Sequence, residues 1–255
     1  MLDRRNFLIR AGAAGSVTVL PFQLHAAAHG GDSFSSASGD FTVHPISHAS
    51  FVMNTPVGTI YVDPVGDPSM YEGHADADLI LVTHEHGDHF NADTLGALMG
   101  DSTALITNPA VHGKLTGDMQ SRAIAVANGD SHDWMGLSID AIPAYNITPE
   151  RANFHPQGRD NGYVLDFGGF RVYVSGDTED IPEMRALEGV DLAFVCMNLP
   201  FTMSAEAAAS AVAEFKPRYV YPYHYRGRDN GTQDPQEFAD MVGAASEVKF
   251  GGWYG

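Results

Sequence analysis

The sequence predicts an α/β protein, an αββα sandwich in which two mixed β-sheets pack face to face under outer helices. Three observations carry this. Short β-type runs split by Pro45, Pro56 and Gly58 crowd the segment from Phe41 to Val62. From Asp78 onward, apolar runs of strand length alternate with helix-like segments. That order, strands first and then alternation, returns after the middle of the chain, although the residues themselves do not repeat. With 255 residues, 44% hydrophobic and 10% aromatic, the chain can bury a core without disulfide staples.

In chain order, Phe41–Ile46, Ser50–Asn54 and Thr59–Val62 read as short strands, and Asp78–Thr83 as a buried one. Asn91 is a cap for a helix over Ala92–Met99. Ala104–Thr107 is a strand, Pro109–Thr116 a short helix, and Ala123–Val126 and Leu137–Ala144 are strands. The polar stretch from Asn146 to Asp160 has no period. Tyr163–Phe167 and Arg171–Val174 form a hairpin around Gly168-Gly169. Then come a helix over Ile181–Leu187, a strand over Asp191–Met197 and an Ala-rich helix from the cap Ser204 to Phe215. A strand at Tyr219–Tyr221, a helix at Pro235–Ala245 and a strand at Val248–Phe250 close the chain.

Residues 1–28 read as an export leader. Arg4-Arg5-Asn6-Phe7-Leu8 resembles the twin-arginine signal of bacteria, a mildly apolar run follows, and Ala26-Ala27-Ala28 suits cleavage after Ala28. The expectation is a periplasmic or exported protein that uses the twin-arginine machinery and keeps no membrane anchor. Gly/Ser-rich residues 29–40 read as a flexible lead-in, and 41–255 as one catalytic domain. Past residue 28 the chain carries 31 acidic against 11 basic residues, a formal charge of −20. Such a surface repels nucleic acid and anionic lipid, and a polyanionic substrate would need a local cationic centre such as bound metal ions; the partner expected is a small-molecule substrate. The lone Cys196 lies in an apolar run, reads as a buried thiol, and leaves no disulfide framework.

The chemistry concentrates in His84-Glu85-His86-Gly87-Asp88-His89. Imidazole is the commonest biological ligand for divalent transition metals. On an extended strand end His84 and His86 point the same way, so they can share one ion. Asp88 and His89 can turn toward a second, with Gly87 letting the backbone bend. His44, His74, His112 and His132 have no partners at ligand spacing and read as surface or structural.

This loop resembles the signature of the metallo-β-lactamase superfamily, and further segments follow in that superfamily's order. Ser175-Gly176-Asp177-Thr178 resembles its Gly-Asp-Thr element, and Pro222-Tyr223-His224-Tyr225 its last metal histidine. Thr59-Ile60-Tyr61-Val62-Asp63-Pro64 resembles its early strand ending in Asp-Pro. His48-Ala49-Ser50-Phe51 and Asn198-Leu199-Pro200-Phe201-Thr202-Met203 look like the branch containing ascorbate-6-phosphate lactonase. The resemblance covers roughly residues 41–250.

It implies two divalent ions, zinc first, with manganese or iron compatible with the carboxylates. His84 and His86 would hold one ion, Asp88, His89 and His224 the other, and Asp177 would bridge them. Asp63 would orient the His loop, and His48 would stand near the site. A metal-bound hydroxide, steered by Asp88, would cleave a lactone, ester, amide or phosphodiester. The related flavodiiron oxygen reductases have Glu where His86 stands, so the pattern favours hydrolysis over di-iron redox work. A non-catalytic exported metal-binding protein is the other alternative.

One position departs from the superfamily pattern. A histidine ligand is expected after the strand Leu137–Ala144, but Tyr145-Asn146 stands there. His155, nine residues on, is therefore expected to join His84 and His86, with Asn146 hydrogen-bonding ligand or substrate.

Overall fold

The computed structural model describes residues 31–227 and 232–254. The leader expected at residues 1–28 lies outside the described residues.

The first sheet runs β1 (Asp32–Ser36), β2 (Gly39–Ser47), β3 (Ser50–Thr55), β4 (Gly58–Val62), β5 (Leu79–Val82), β6 (Ala104–Thr107) and β7 (Ala123–Ala125), in sequence order. The first four pair antiparallel, and the rest join in parallel. The second sheet repeats this scheme. Strands β8 (Ser131–Trp134), β9 (Leu137–Ala144), β10 (Asp160–Asp166) and β11 (Arg171–Val174) are antiparallel, and β12 (Leu192–Cys196), β13 (Tyr219–Tyr223) and β14 (Glu247–Val248) follow in parallel. Parallel strands need crossovers. These contain α1 (Ala92–Leu98) after β5, α2 (Pro109–His112) and α3 (Gly117–Arg122) after β6, α4 (Pro182–Arg185) after β11, α5 (Ala205–Phe215) after β12 and α6 (Pro235–Val242) after β13. The expected sandwich of two mixed sheets with outer helices is the fold observed.

The main core lies between the sheets. Phe51 of β3 stacks on Phe194 of β12 at 4.1 Å, and Phe194 stacks on Tyr221 of β13 at 5.2 Å. Strand β5 is buried on both faces. Leu79 and Leu81 enter this core, while Ile80 and Val82 join a second cluster with Leu95 and Leu105. That double burial is why its sequence is a continuous apolar run rather than an alternating one. Helix α5 is capped by the Ser204 hydroxyl, which accepts from the Ala207 amide at 3.3 Å. Its buried face of Ala205, Ala208, Ala209, Ala211, Val212 and Phe215 is mostly small side chains, so the helix can lie close on its neighbours.

Three elements differ from expectation. Residues 32–36, expected within a flexible lead-in, form strand β1. Only Phe34 of that strand is buried, edge-on to Tyr219 at 4.9 Å, so one aromatic anchor hidden among serines docks it. Strand β8 and helix α3 were not expected either. Strand β8 is a polar edge strand, and α3 buries no residue, so neither leaves a hydrophobic pattern to read. Among the described residues, no helix is long and apolar enough to cross a membrane.

Candidate metal centre

The residues singled out for chemistry follow strand C-terminal ends: Asp63 after β4, His84–His89 after β5, Asp177 after β11, Asn198 after β12 and His224 after β13. Ligands of open α/β sheets gather at such ends, where loops leave a rigid scaffold.

Asp63 ties this region together. Its carboxylate accepts from the Thr83 amide and hydroxyl, both at 2.7 Å, and meets His89 Nδ1 at 2.7 Å. This contact fixes the His89 ring and leaves Nε2 facing Asp177 Oδ1 at 3.4 Å. Asp63 thus bonds to both Thr83 and His89. It does this from a left-handed backbone (φ 45°), shared at this end of the sandwich by His48 (φ 55°) and His224 (φ 48°). Non-glycine residues held there store strain, and such residues concentrate at functional sites. Gly87 behaves otherwise than expected. Its φ is not left-handed, and a Cβ there would touch nothing, so the turn does not require glycine. The turn closes instead on the His86 carbonyl, which accepts from the His89 and Phe90 amides at 3.0 and 2.8 Å. Gly176 is the glycine this region needs, at φ 59° with Asn161 O only 2.7 Å from where a Cβ would stand.

His84 Nε2 and His86 Nδ1 are 3.1 Å apart. The His155 ring comes to 5.0 Å from that of His84 and 4.7 Å from that of His86. The three offer ligand atoms all within 4.8 Å of one another. His155 Nδ1 meets Asp160 Oδ2 at 3.1 Å, and Asp160 is held by Arg159 Nε at 2.6 Å. Sequence reasoning missed this carboxylate. A buried Asp at the start of β10, five residues past the histidine, was the only signal. Asn146 lies against the His155 loop. Its amide group donates to Arg151 O and Phe201 O at 2.9 and 2.7 Å, and its backbone N–H donates to His155 O at 2.9 Å. Asn146 thus ties the His155 loop to the Phe201 segment through its Nδ2, while its buried Oδ1 has no hydrogen-bond partner.

Asp177 sits at the middle. Besides His89 it lies 3.5 Å from His155 Nε2 and 3.4 Å from His224 Nε2. Asp88 Oδ2 is 3.5 Å from His224 Nε2 and 3.2 Å from His48 Nε2. His48, Asp88 and His224 form one compact set of ligand atoms, and His84, His89 and Asp177 another. His89 therefore keeps closer company with His84 than the expected partition implied, and His48 packs on His224 with rings 3.9 Å apart. The hydroxyl of Tyr254 reaches His48 Nδ1 at 2.9 Å, a contact from the far end of the chain with no sequence signal. Asn198 Nδ2 stands 3.3 Å from the His224 ring nitrogens. Glu85 points away, paired with Lys114 at 3.1 Å and Arg159 at 3.6 Å.

Charge and burial compete here. Burial and the neighbouring His89 push His84 well below its ordinary pKa, and burial with His155 lowers His86. Burial opposes charge on His89, but Asp177 and Asp63 override it and raise its pKa well above the usual value. His224 is raised in the same way, burial being outweighed by Asp177 and Asp88. For Asp177, burial is overcome by His224 and His89, which hold it well below the carboxylate range. Asp88 is also lowered, its burial outweighed by the bonds to His224 and His48. Cys196 is buried, and burial pushes its thiol up to about 12, so it is no nucleophile at neutral pH.

Fold and site together define a metal-dependent enzyme of the metallo-β-lactamase superfamily, and residues 42–224 match the family profile described as the beta-lactamase superfamily domain. More narrowly, the chain belongs to the family of UPF0173 metal-dependent hydrolases. It is 30% identical over 213 residues to the member from Thermococcus onnurineus, covering 80% of this chain and 92% of that one. It is 31% identical over 215 residues to the member from Pelotomaculum thermopropionicum, with the same coverage. A crystal structure of a Parabacteroides distasonis protein, provisionally classed as a metal-dependent hydrolase, superposes with TM-score 0.77 at 39% identity, covering 86% of this chain and 97% of that one.

Proposed function

We propose that this chain hydrolyses a small molecule using two divalent ions held by His84, His86, His155, His89, His224, Asp88 and Asp177, with Asp177 between them. What supports the reading is a set of buried ligand atoms without hydrogen-bond partners. His89 Nε2 and Asp177 Oδ1 lie 3.4 Å apart, and His155 Nε2 stands 3.5 Å from the other oxygen of Asp177. Buried polar atoms are almost always satisfied, so three orphans around Asp177 fit cations that satisfy them. The donor set of neutral imidazoles with two carboxylates suits zinc first.

When bound, such ions acidify a coordinated water and polarise the scissile group. The chain's own residues do the rest. Asp63 and Asp160 hold His89 and His155 by Nδ1, so each presents Nε2 inward. Asp88 is the one carboxylate of the cluster with substantial exposure, and it lines the cleft. It is placed to orient the attacking water and pass its proton to the leaving group. His48, held by Tyr254, keeps that carboxylate in place. The segments His48–Phe51 and Asn198–Met203 favour the lactonase-like branch, so lactones come first among substrates.

The test is a panel of lactone, ester, amide and phosphodiester substrates with the zinc-loaded chain. Turnover of at least one, abolished by chelation and restored by zinc, is expected. Stoichiometric metal with no turnover on any class would favour a binding protein, and bound iron with oxygen consumption a redox one.

The reading includes export, resting on Arg4-Arg5-Asn6-Phe7-Leu8 and Ala26-Ala27-Ala28. Replacing Arg4 and Arg5 by lysine should leave an uncleaved precursor in the cytoplasm. A variant that still reaches the periplasm would contradict twin-arginine export.

A further inference from the structure

The centre opens into a cleft of about 270 Å³, floored by His86, Asp88, His155 and Asp177. Its wall is made by Phe154, Phe201 and Asn198. Phe154 remains 38% exposed, and its ring stands edge-on to Phe201 with centroids 5.0 Å apart. An aromatic pair left open to water beside a reactive centre costs free energy until something covers it.

The pair does not sit on a loose lid. Asn146 Nδ2 donates to the carbonyls of Arg151 and Phe201, joining the two segments that carry the rings. Arg151 donates to Thr202 O at 3.0 Å and pairs with Glu179 at 2.5 Å. Glu179 in turn accepts the Ile147 and Thr148 amides at 2.8 and 2.6 Å. The Phe154 carbonyl accepts from Arg159 at 2.8 Å. An aromatic surface whose backbone is fixed in advance by partly buried polar bonds loses little entropy on covering, which is how apolar ligand subsites gain affinity.

The charges nearby are spoken for. Arg151 is matched by Glu179, and Arg159 by Asp160 and Glu85. Among the described residues, no Lys or Arg lines the cleft. The wall presents ring faces and one amide, and the nearest cation, Arg159, stands 3.4 Å from His86 Nε2 at the rim with its charge matched by Asp160 and Glu85.

We propose that Phe154 and Phe201 form a subsite for an uncharged aryl or alkyl group next to the scissile bond. The substrate class is then an apolar ester, lactone or amide. The bond cleaved rests on the hydrolase reading above, whereas the subsite rests on the two rings. In the step served, the oxygen of water bonds to the carbonyl carbon, the C–O or C–N bond breaks, and the leaving group takes the proton.

The test compares benzohydroxamate with acetohydroxamate binding to the zinc-loaded full chain by calorimetry. Both grip a metal through the same two oxygens, so the comparison isolates the ring. The aryl ligand is expected to bind about tenfold tighter, the range of a well-formed aromatic contact. Phe154→Ala and Phe201→Ala should each bring the two affinities to within about twofold, leaving acetohydroxamate, and hence the fold and centre, unaffected. Equal affinities in the unaltered chain, or a preference that survives both substitutions, would overturn the subsite. Hydrolysis of methyl acetate and methyl phenylacetate, which share a leaving group, assayed in parallel, separates the two readings. Turnover without aryl preference removes the subsite and keeps the hydrolase, and aryl preference without turnover does the reverse. Binding of neither hydroxamate overturns both.

Discussion

Asp88→Asn is expected to lower kcat by about 10²- to 10⁴-fold, the span associated with a lost general base, while the protein stays folded. The asparagine keeps the size of the side chain but removes the charge that faces His48 and His224. It also leaves the attacking water without a proton acceptor. The fold should survive because Asp88 lies on a loop and is 45% exposed at its side chain, so no core contact is lost. His86→Ala should behave similarly, since His86 also lies at the cleft and carries no core packing. Steady-state kinetics with circular dichroism checks both. Near-normal turnover in either variant would refute the roles given to these residues.

Chelation is expected to lower Tm by about 10 °C. A ligand present at about a thousand times its Kd stabilises by about 4 kcal/mol, and each kcal/mol moves Tm by about 2–4 °C in a domain of this size. The apo centre keeps one compensation. Asp177 raises the pKa of His89 and His224, so protons on these rings partly replace the ions. Groups with raised folded pKa stabilise at low pH and lose that effect as pH rises through the folded value. Metal binding, by contrast, strengthens as imidazoles deprotonate. The Tm difference between chelated and zinc-loaded protein should therefore grow from pH 6.5 to pH 8.5. Differential scanning calorimetry reads it, and a difference that is absent or shrinks with pH would count against the centre.

The fold was legible in the sequence wherever burial leaves a pattern. Strand β5 is buried on both faces and β9 alternates, so periodicity located both within a residue. Strand β1 has a single buried residue and β8 none, so both disappear into polar text. The His84–His89 loop stood out because its candidate ligands are contiguous, whereas Asp177 and His224 came from the resemblance to the superfamily. His155 was put forward because the resemblance expects a histidine after β9 and none stands there, and the fold brings its ring beside those of His84 and His86. Asp160 and Tyr254 were not legible. Each acts by touching one ring nitrogen from an element brought in by the tertiary fold, and no spacing in the chain encodes that meeting.

The central claim is a two-ion centre in which His155 completes the set begun by His84 and His86. The most direct measurement is metal content by inductively coupled plasma mass spectrometry, on the zinc-loaded chain and on His155→Ala after removal of free metal. The account predicts two equivalents per chain, falling to about one in the variant while circular dichroism stays unchanged. No bound metal in the unaltered chain, or both equivalents retained in His155→Ala, would contradict it.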